Sequence, residues 1–372
     1  MAYRLLIDLM SYRSEILVQL AAIKSLKQCV EDFDFEEEAF GPYLEAAVPL
    51  LATSLQSLHE FSSRQIVLGS LTAIVNRMDS KMKPFAGVLV GLLAPLWEYS
   101  ASQEVLKVSI IDLAVKLTEA IRGDSEILRG FSIPVITFSL REGALYIEDS
   151  LELWMATMKH ARTLTPDLFG LFPLLCPIFE TEHTRQALEI LNSYVLIGGA
   201  PFMNHYGTVV KGVFESLFQA ENLATPAVAV ITKVMDTILR SFPAEGHTLL
   251  VVPLTKMAMA ILADKDQSSV TLAAYLSIFA RVLLNDPAFF MQFLGSGTQD
   301  LRLAFIDKWI DKVDSIGQPS QRKLTAFAIC SLIKTTDDQI LNLLPGIINV
   351  CLNVYFQLEQ PAGELDGFER DE

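Results

Sequence analysis

Prolines recur along this chain at a near-regular interval, each at the head of a very apolar stretch. Pro42, Pro84, Pro134 and Pro173 are separated by roughly 40 to 50 residues, and Pro253 follows after about twice that interval. Their contexts are alike: Phe40-Gly-Pro-Tyr-Leu44, Lys83-Pro84-Phe85, Ser132-Ile-Pro134-Val135, Leu171-Phe-Pro173-Leu174 and Val251-Val-Pro253-Leu254. A second kind of segment follows each after a polar turn, near Ser62-Ser63-Arg64, Ser102-Gln103-Glu104, Glu182-His183-Thr184-Arg185, Gln267-Ser268-Ser269 and Gln318-Pro319-Ser320.

Both kinds read as helix. Leu106, Ile110, Leu113, Ala114 and Leu117 share one helical face, and the stretch holding Leu17, Leu20, Ala21, Lys24 and Leu26 spaces apolar residues by three and four. No run alternates in the manner of a strand. Paired helices with a period of about 40 to 47 residues belong to HEAT and armadillo arrays. One helical hairpin cannot cover its own apolar faces, so neighbours must stack to share a core. The expected fold is therefore all-α, an α-α superhelix (a HEAT/armadillo-like solenoid) of about eight helical hairpins over residues 1–358. A disordered acidic tail is expected over 359–372.

The polar starts are expected to act as N-caps. Thr165-Pro166-Asp167 and Asp286-Pro287 place proline at a helix start, where its missing N–H costs nothing. Pro49, Pro95 and Pro177 fall mid-helix and are expected to kink those helices. The connections at Gly143–Glu148 and Gly295–Thr298 read as irregular. Tyr3–Met10 lacks the polar outer face of a terminal repeat, so the chain is expected to be the C-terminal part of a longer array.

Composition narrows the function. The chain is 51% hydrophobic and 20% charged, with a mean hydropathy of +0.36, too apolar for a mainly disordered chain. No stretch reads as a membrane span. Pro84–Trp97 is too short, and Thr248–Ala263 is interrupted by Pro253 and Lys256. Met1–Ser14 carries Arg4, Asp8 and Arg13, unlike a secretory leader. Cys29, Cys176, Cys330 and Cys351 read as free thiols in a reducing compartment, Cys176 and Cys330 as core.

No reactive constellation appears. His59, His160, His183, His205 and His247 lack metal-ligand spacing. No phosphate-binding glycine motif occurs. The stretch from Asp264 to Tyr275 fails as a calcium loop, with Ser269 and Tyr275 where glycine and glutamate are needed. Trp97, Trp154 and Trp309 read as core. The expectation is no enzyme, no catalytic residue, no cofactor and no metal, but a surface that binds proteins.

The formal net charge is −15. Glu31, Asp32, Asp34, Glu36, Glu37 and Glu38 form a dense cluster, and the segment from Glu359 to Glu372 is acidic too. This sign disfavours nucleic acid and anionic lipid and favours basic partners. The cluster is a candidate contact for a basic partner. Its plainer reading is a solvated turn that keeps an apolar fold soluble.

Four stretches, in order along the chain, resemble the C-terminal repeats of karyopherin-beta (importin-beta family) nuclear transport receptors. They are Glu31-Asp-Phe-Asp-Phe-Glu-Glu-Glu-Ala-Phe-Gly-Pro-Tyr-Leu-Glu45, Glu148-Asp-Ser-Leu-Glu-Leu-Trp154, Tyr275-Leu-Ser-Ile-Phe-Ala-Arg-Val-Leu-Leu284 and Gln318-Pro-Ser-Gln-Arg-Lys-Leu324. The resemblance implies a nuclear import receptor that carries protein cargo, basic cargo included, through the nuclear pore. It implies contacts with Phe-Gly nucleoporins and cargo release by Ran-GTP. Ran-GTP binding falls mainly to N-terminal repeats, which this chain is expected to lack. Shuttling between nucleus and cytoplasm follows, without membrane insertion. An acidic inner face in such a receptor would attract basic localisation segments. The competing reading is a HEAT-repeat scaffold subunit of another complex.

Overall fold

The computed structural model describes residues 2–12, 15–100, 103–142, 144–219, 225–263, 268–296, 300–334 and 337–359. Among them α-helices and short 3-10 helices are joined by turns, and no strand occurs. The chain divides into two compact units, Met1–Ile178 and Phe179–Glu372.

The first unit contains α1 (Ala2–Met10), α2 (Ile16–Glu31), the one-turn α3 (Glu37–Phe40), α4 (Leu44–Ser57), α5 (Phe61–Met78), α6 (Ala86–Tyr99), α7 (Glu104–Ile121), α8 (Arg129–Glu142), α9 (Ile147–His160) and α10 (Pro166–Leu171). Four hairpins result: α1/α2, α4/α5, α6/α7 and α8/α9. The second helices stack in sequence, α2 on α5, α5 on α7 and α7 on α9. A helix so placed meets apolar neighbours on three sides, which is why its sequence is apolar around most of its circumference. In α7 the expected face of Leu106, Ile110, Leu113, Ala114 and Leu117 is buried, and Ile111, Val115, Ala120 and Ile121 are buried as well.

In α2 the apolar spacing does not mark the buried face. Gln19, Ala22, Ile23, Leu26 and Val30 are its buried residues. Leu17 is 82% exposed, and Ala21 and Lys24 also face outward. Apolar spacing alone did not distinguish the two faces, because Ile16, Leu17 and Val18 are apolar yet exposed.

Successive hairpins of this unit are joined by sharp corners. Asp79 follows α5 with φ 43° and Arg122 follows α7 with φ 52°, a region that side chains other than glycine enter at a cost of order 1 kcal/mol. Each corner opens a 3-10 turn, Asp79–Phe85 or Arg122–Leu128, leading into the next first helix. The two residues also face each other, Arg122 Nη2 lying 2.8 Å from Asp79 Oδ2. Pro42 and Pro84 lie in 3-10 turns ahead of α4 and α6, whereas Pro134 lies inside α8. Pro49 and Pro95 sit inside α4 and α6, and Pro177 in the 3-10 segment Phe172–Glu180.

Buried cations lock hairpin to hairpin here. Arg64, on the first turn of α5, donates through Nε to the Leu58 carbonyl at 2.6 Å. Its guanidinium lies 3.7 Å from the centre of the Tyr99 ring at the end of α6. Lys107, at the same place in α7, has its ammonium 4.8 Å from Trp97, 4.9 Å from Phe138 and 5.7 Å from Tyr146. Ring faces attract a cation electrostatically, so Lys107 is held at 7% exposure among aromatic rings. Trp97 is half-buried in that cage, while Trp154 and Trp309 are fully buried core.

The second unit contains α11 (Thr184–Gln219), α12 (Thr225–Ser241), α13 (Gly246–Leu249), α14 (Val251–Leu262), α15 (Ser269–Asn285), α16 (Pro287–Gly295), α17 (Arg302–Lys312), α18 (Pro319–Ser331), α19 (Asp338–Leu341) and α20 (Leu344–Glu359). α11 is two helices meeting at Gly199, whose φ of 50° and ψ of −140° turn the chain in one residue. Here α12 packs on α15, α15 on α18, and α18 on α20. Side chains tie these helices at a step of one repeat. Thr237 Oγ1 donates to Asn192 Oδ1 at 2.7 Å, Arg281 Nε to Asp236 Oδ1 at 3.0 Å, and Asn285 Nδ2 to the Leu239 carbonyl at 2.7 Å. Phe279, Phe290, Phe305 and Trp309 form a buried aromatic cluster, with Phe279 and Phe305 centroids 4.7 Å apart.

The N-cap expectation holds at two of its sites. Ser268 Oγ accepts from Thr271 N, and Asp286 Oδ1 from Phe289 N. Ser62 and Ser63 instead donate to the Glu60 carboxylate, Thr184 donates to the Phe179 carbonyl, and Gln318 makes no side-chain cap. Thr165 makes no side-chain cap either, although Pro166 takes the first helical position as expected. Cys330, expected in the core, is exposed on α18. Ser102, Gly143, Asp264–Gln267, Gly297–Thr298 and residues 360–372 lie outside the described residues, and with them the first four residues of the rejected calcium-like stretch and most of the acidic tail.

Candidate functional site

The acidic cluster forms the turn from α2 to α3. Glu31 closes α2, with a carboxylate oxygen 3.5 Å from Lys27. Asp32 folds back on its own turn, its Oδ1 accepting from Asp34 N at 3.0 Å, while its carbonyl accepts from Arg77 Nη2 at 2.8 Å. Glu36 precedes α3, and Glu37 and Glu38 fill its first turn, where carboxylates complement exposed amides. Lys81 holds both, 3.7 Å from Glu37 and 2.7 Å from Glu38. The hydrogen bond that Lys81 donates to Glu38, with that carboxylate's charge, raises the lysine above its ordinary value.

The six residues are thus brought together on one exposed turn but are not left bare. Lys27, Arg77 and Lys81 each meet one or more of them. Phe35 and Phe40 pack 5.8 Å apart beneath the turn, and Arg77 lies 5.2 Å from the Phe35 ring. Tyr3 packs on Phe40 at 5.1 Å, and its hydroxyl is raised above the usual tyrosine value by burial first and by Cys29 and the carboxylates Glu36 and Asp32 after it. Phe33 projects at the tip, 97% exposed.

A second charged surface was not anticipated from sequence. The exposed stripe of α12, α15 and α18 bounds a groove of about 480 Å³. Lys233, Arg240, Arg281 and Lys323 line it with a single carboxylate, Asp236. Arg240 Nε lies 2.7 Å and Arg281 Nε 3.0 Å from that carboxylate. The local charge is thus cationic, against the acidic balance of the whole chain. The signal was the interval between Asp236 and Arg281, which equals the repeat and so marks a ladder between neighbouring second helices.

The stripe of α7 and α9 has the opposite balance. Lys116 meets Glu152 at 4.0 Å and Lys159 meets Glu119 at 3.7 Å. Asp112 and Asp149 are both raised above the ordinary carboxylate value, chiefly by burial.

Among the described residues no cluster of His, Cys, Asp or Glu could hold a metal ion, and no helix is long and apolar enough to cross a membrane. His247 is buried against Phe289, with Asp286 4.0 Å away, and His160 is lowered chiefly by burial.

Residues 108–372 match the family described as Importin-11-like, TPR repeats. Human Importin-11 is 28% identical over 349 residues, covering 90% of this chain and 36% of that protein. The Importin beta-like protein kap113 of Schizosaccharomyces pombe is 22% identical, covering 94% and 36%. The chain therefore spans about a third of the length of these relatives. Among solved structures, Lph2, a bidirectional nuclear transport receptor of S. cerevisiae, superposes with a TM-score of 0.86 at 19% identity, over 97% of this chain and 41% of that one. Kap121p bound to Nup53p gives 0.61 at 14% identity, over 99% and 41%. Contacts between neighbouring repeats here include steps of 36 residues (Lys116 to Glu152) and 46 residues (Leu239 to Asn285), against the 34-residue period typical of TPR units.

Proposed function

Because the chain belongs to the importin-11-like family, we propose that it serves as a protein-binding part of a nuclear transport receptor. The observation that supports this most is the match to Importin-11 over 90% of the chain, carried on stacked hairpins that present long side-chain stripes rather than a reactive cleft. Its partners are protein cargo and Phe-Gly nucleoporins. Ran-GTP is met mainly by repeats that lie N-terminal to this region in the full receptor. The role is binding rather than catalysis, and the receptor shuttles between nucleus and cytoplasm.

The physical basis is the stack itself. Each hairpin packs on its neighbours alone, so small rotations between hairpins add up without opening a core. Cargo and Ran-GTP that favour different curvatures then exclude one another through differential affinity. The acidic turn from Glu31 to Glu38 adds attraction for basic cargo, an attraction that salt weakens. Lys27 and Lys81 already pair with part of that charge, so its contribution is modest.

The test is retention on Phe-Gly nucleoporin resin and accumulation of labelled protein in nuclei of permeabilised cells. Retention is expected of this chain, and Ran-dependent accumulation of a receptor that also carries the N-terminal repeats. A receptor that does neither would be a scaffold subunit instead. Changing Glu36, Glu37 and Glu38 to Gln should keep the helical circular dichroism and weaken a basic ligand at low salt. Unchanged affinity would leave the turn a solvated one.

A further inference from the structure

We propose that the groove across α12, α15 and α18 is a docking site for an acidic segment, and that the chain's own residues 360–372 occupy it. The groove is a local exception in a protein of net charge −15. Four cations line it against one carboxylate. Two guanidiniums share that carboxylate, Asp236. Among the described residues, Lys233 and Lys323 have no carboxylate within the 4.0 Å of an ion pair, and both are exposed. Four like charges along one groove repel each other unless an anion joins them. Phe327, 59% exposed, adds an apolar contact at its α18 side.

The segment after α20 matches this surface in three ways. Its charge is complementary: Glu364, Asp366, Glu369, Asp371 and Glu372 against Arg370. It places Leu365 and Phe368 among those acids, as an aromatic-edged groove requires. It also starts beside the groove. Val354 and Tyr355, in the last two turns of α20, share a surface hollow with Lys323 and Phe327 of α18, and both of those α18 residues also line the groove. Thirteen residues reach about 45 Å when extended, several times the distance between neighbouring packed helices of about 10 Å. No loop must close over a long span, so the entropic cost of docking is small.

The experiment uses the full chain and a fluorescent peptide of sequence 360–372. One variant carries Glu364→Gln, Asp366→Asn, Glu369→Gln, Asp371→Asn and Glu372→Gln, which frees the groove. The peptide should bind this variant roughly tenfold more tightly than it binds the unaltered chain. Adding Lys233→Glu and Lys323→Glu, both exposed, should remove that binding, while circular dichroism stays unchanged. Rising salt should weaken it. Equal peptide binding by the unaltered and tail-neutralised chains would overturn the proposal, since the tail would then not compete. So would an absence of peptide binding, or binding indifferent to Lys233 and Lys323. A dimer that dissociates when the tail is neutralised would place the tail in a second copy's groove and overturn it equally. These outcomes are independent of nucleoporin retention, so the transport reading stands or falls by its own test.

Discussion

The two units use the same stacking plan, and both carry polar ties at about the repeat interval, Arg77 to Asp32 and Arg122 to Asp79 in the first, but they differ in what is buried between their hairpins. In the first, buried cations sit on aromatic rings: Arg64 on Tyr99, and Lys107 among Trp97, Phe138 and Tyr146. In the second, where the ties include Arg281 to Asp236 and Asn285 to Leu239, the rings pack on one another around Trp309. The lesson concerns what a repeat must keep. It keeps the burial of apolar faces between neighbours, while the groups buried along with them are free to change.

The comparison can be broken most forcefully at Trp309. Its indole is fully buried among Phe290 and Phe305, so Trp309→Ala should destabilise the second unit by about 3–5 kcal/mol. Hydrogen exchange followed by segment should show lost protection in α15–α18 and none in α5–α9. Equal loss in both units would mean that they unfold as one.

Lys107→Ala should act on the first unit, by about 2 kcal/mol, through loss of both its buried stem and its ring contacts. Lys107→Met keeps the stem and should cost roughly half as much, about 1 kcal/mol. Urea denaturation of the three proteins measures this. If Met were as stable as Lys, the cation would contribute nothing and the cage would be packing alone.

The corners give the next contrast. Gly199→Ala should cost about 1–2 kcal/mol, because φ is positive there while a Cβ would meet nothing within 4 Å. Asp79→Gly should go the other way, gaining up to about 1 kcal/mol as backbone strain is relieved, reduced by loss of an exposed ion pair with Arg122. Thermal midpoints of the two variants, shifted in opposite directions, would bear this out. A lower midpoint for Asp79→Gly would show that the ion pair outweighs the strain.

Acid should separate the units least. Asp112 is raised by burial, so its contribution favours folding below its unfolded value near 3.9 and is lost as pH rises through the folded one. Asp112→Asn should therefore protect the first unit slightly at pH 7 and make no difference well below the unfolded value. Asp300, held to about 2 by Arg302, contributes above its unfolded value and loses that contribution as pH falls towards about 2. Exchange rates of the two units at neutral and acid pH would show the opposite trends. An Asp112→Asn protein less protected at pH 7 would sink the first half of this.

The helical repeat was legible because it is written in apolar spacing, and Leu106 to Leu117 occupy the face that spacing assigns. The choice of face in α2 was not legible. Leu17 and Leu26 are equally apolar, and only the position of α5 decides which is covered. The capping serines at residues 62 and 63 misled for a related reason: a carboxylate at Glu60 competes for their hydroxyls, and a one-dimensional reading gives a serine no other partner. The acidic turn was visible as a run of like charge, but Arg77 and Lys81, which hold it, are 45 and 43 residues from Asp32 and Glu38. The cationic groove was missed because its members come from three helices, and no short window contains more than two of them.

The corner at Gly199 has a consequence for how such chains tolerate change in length. A helix passes directly into the next there, with one residue and no loop between them. An amino acid inserted just after that glycine has no slack to disappear into. It would advance every following side chain of the helix by about 100° and swing Phe202, Val210 and Phe214, now buried, out of register with their neighbours. Insertions and deletions should be purged at this joint and survive in the longer connections, so the spacing on either side of Gly199 is fixed by geometry rather than by the identity of its residues.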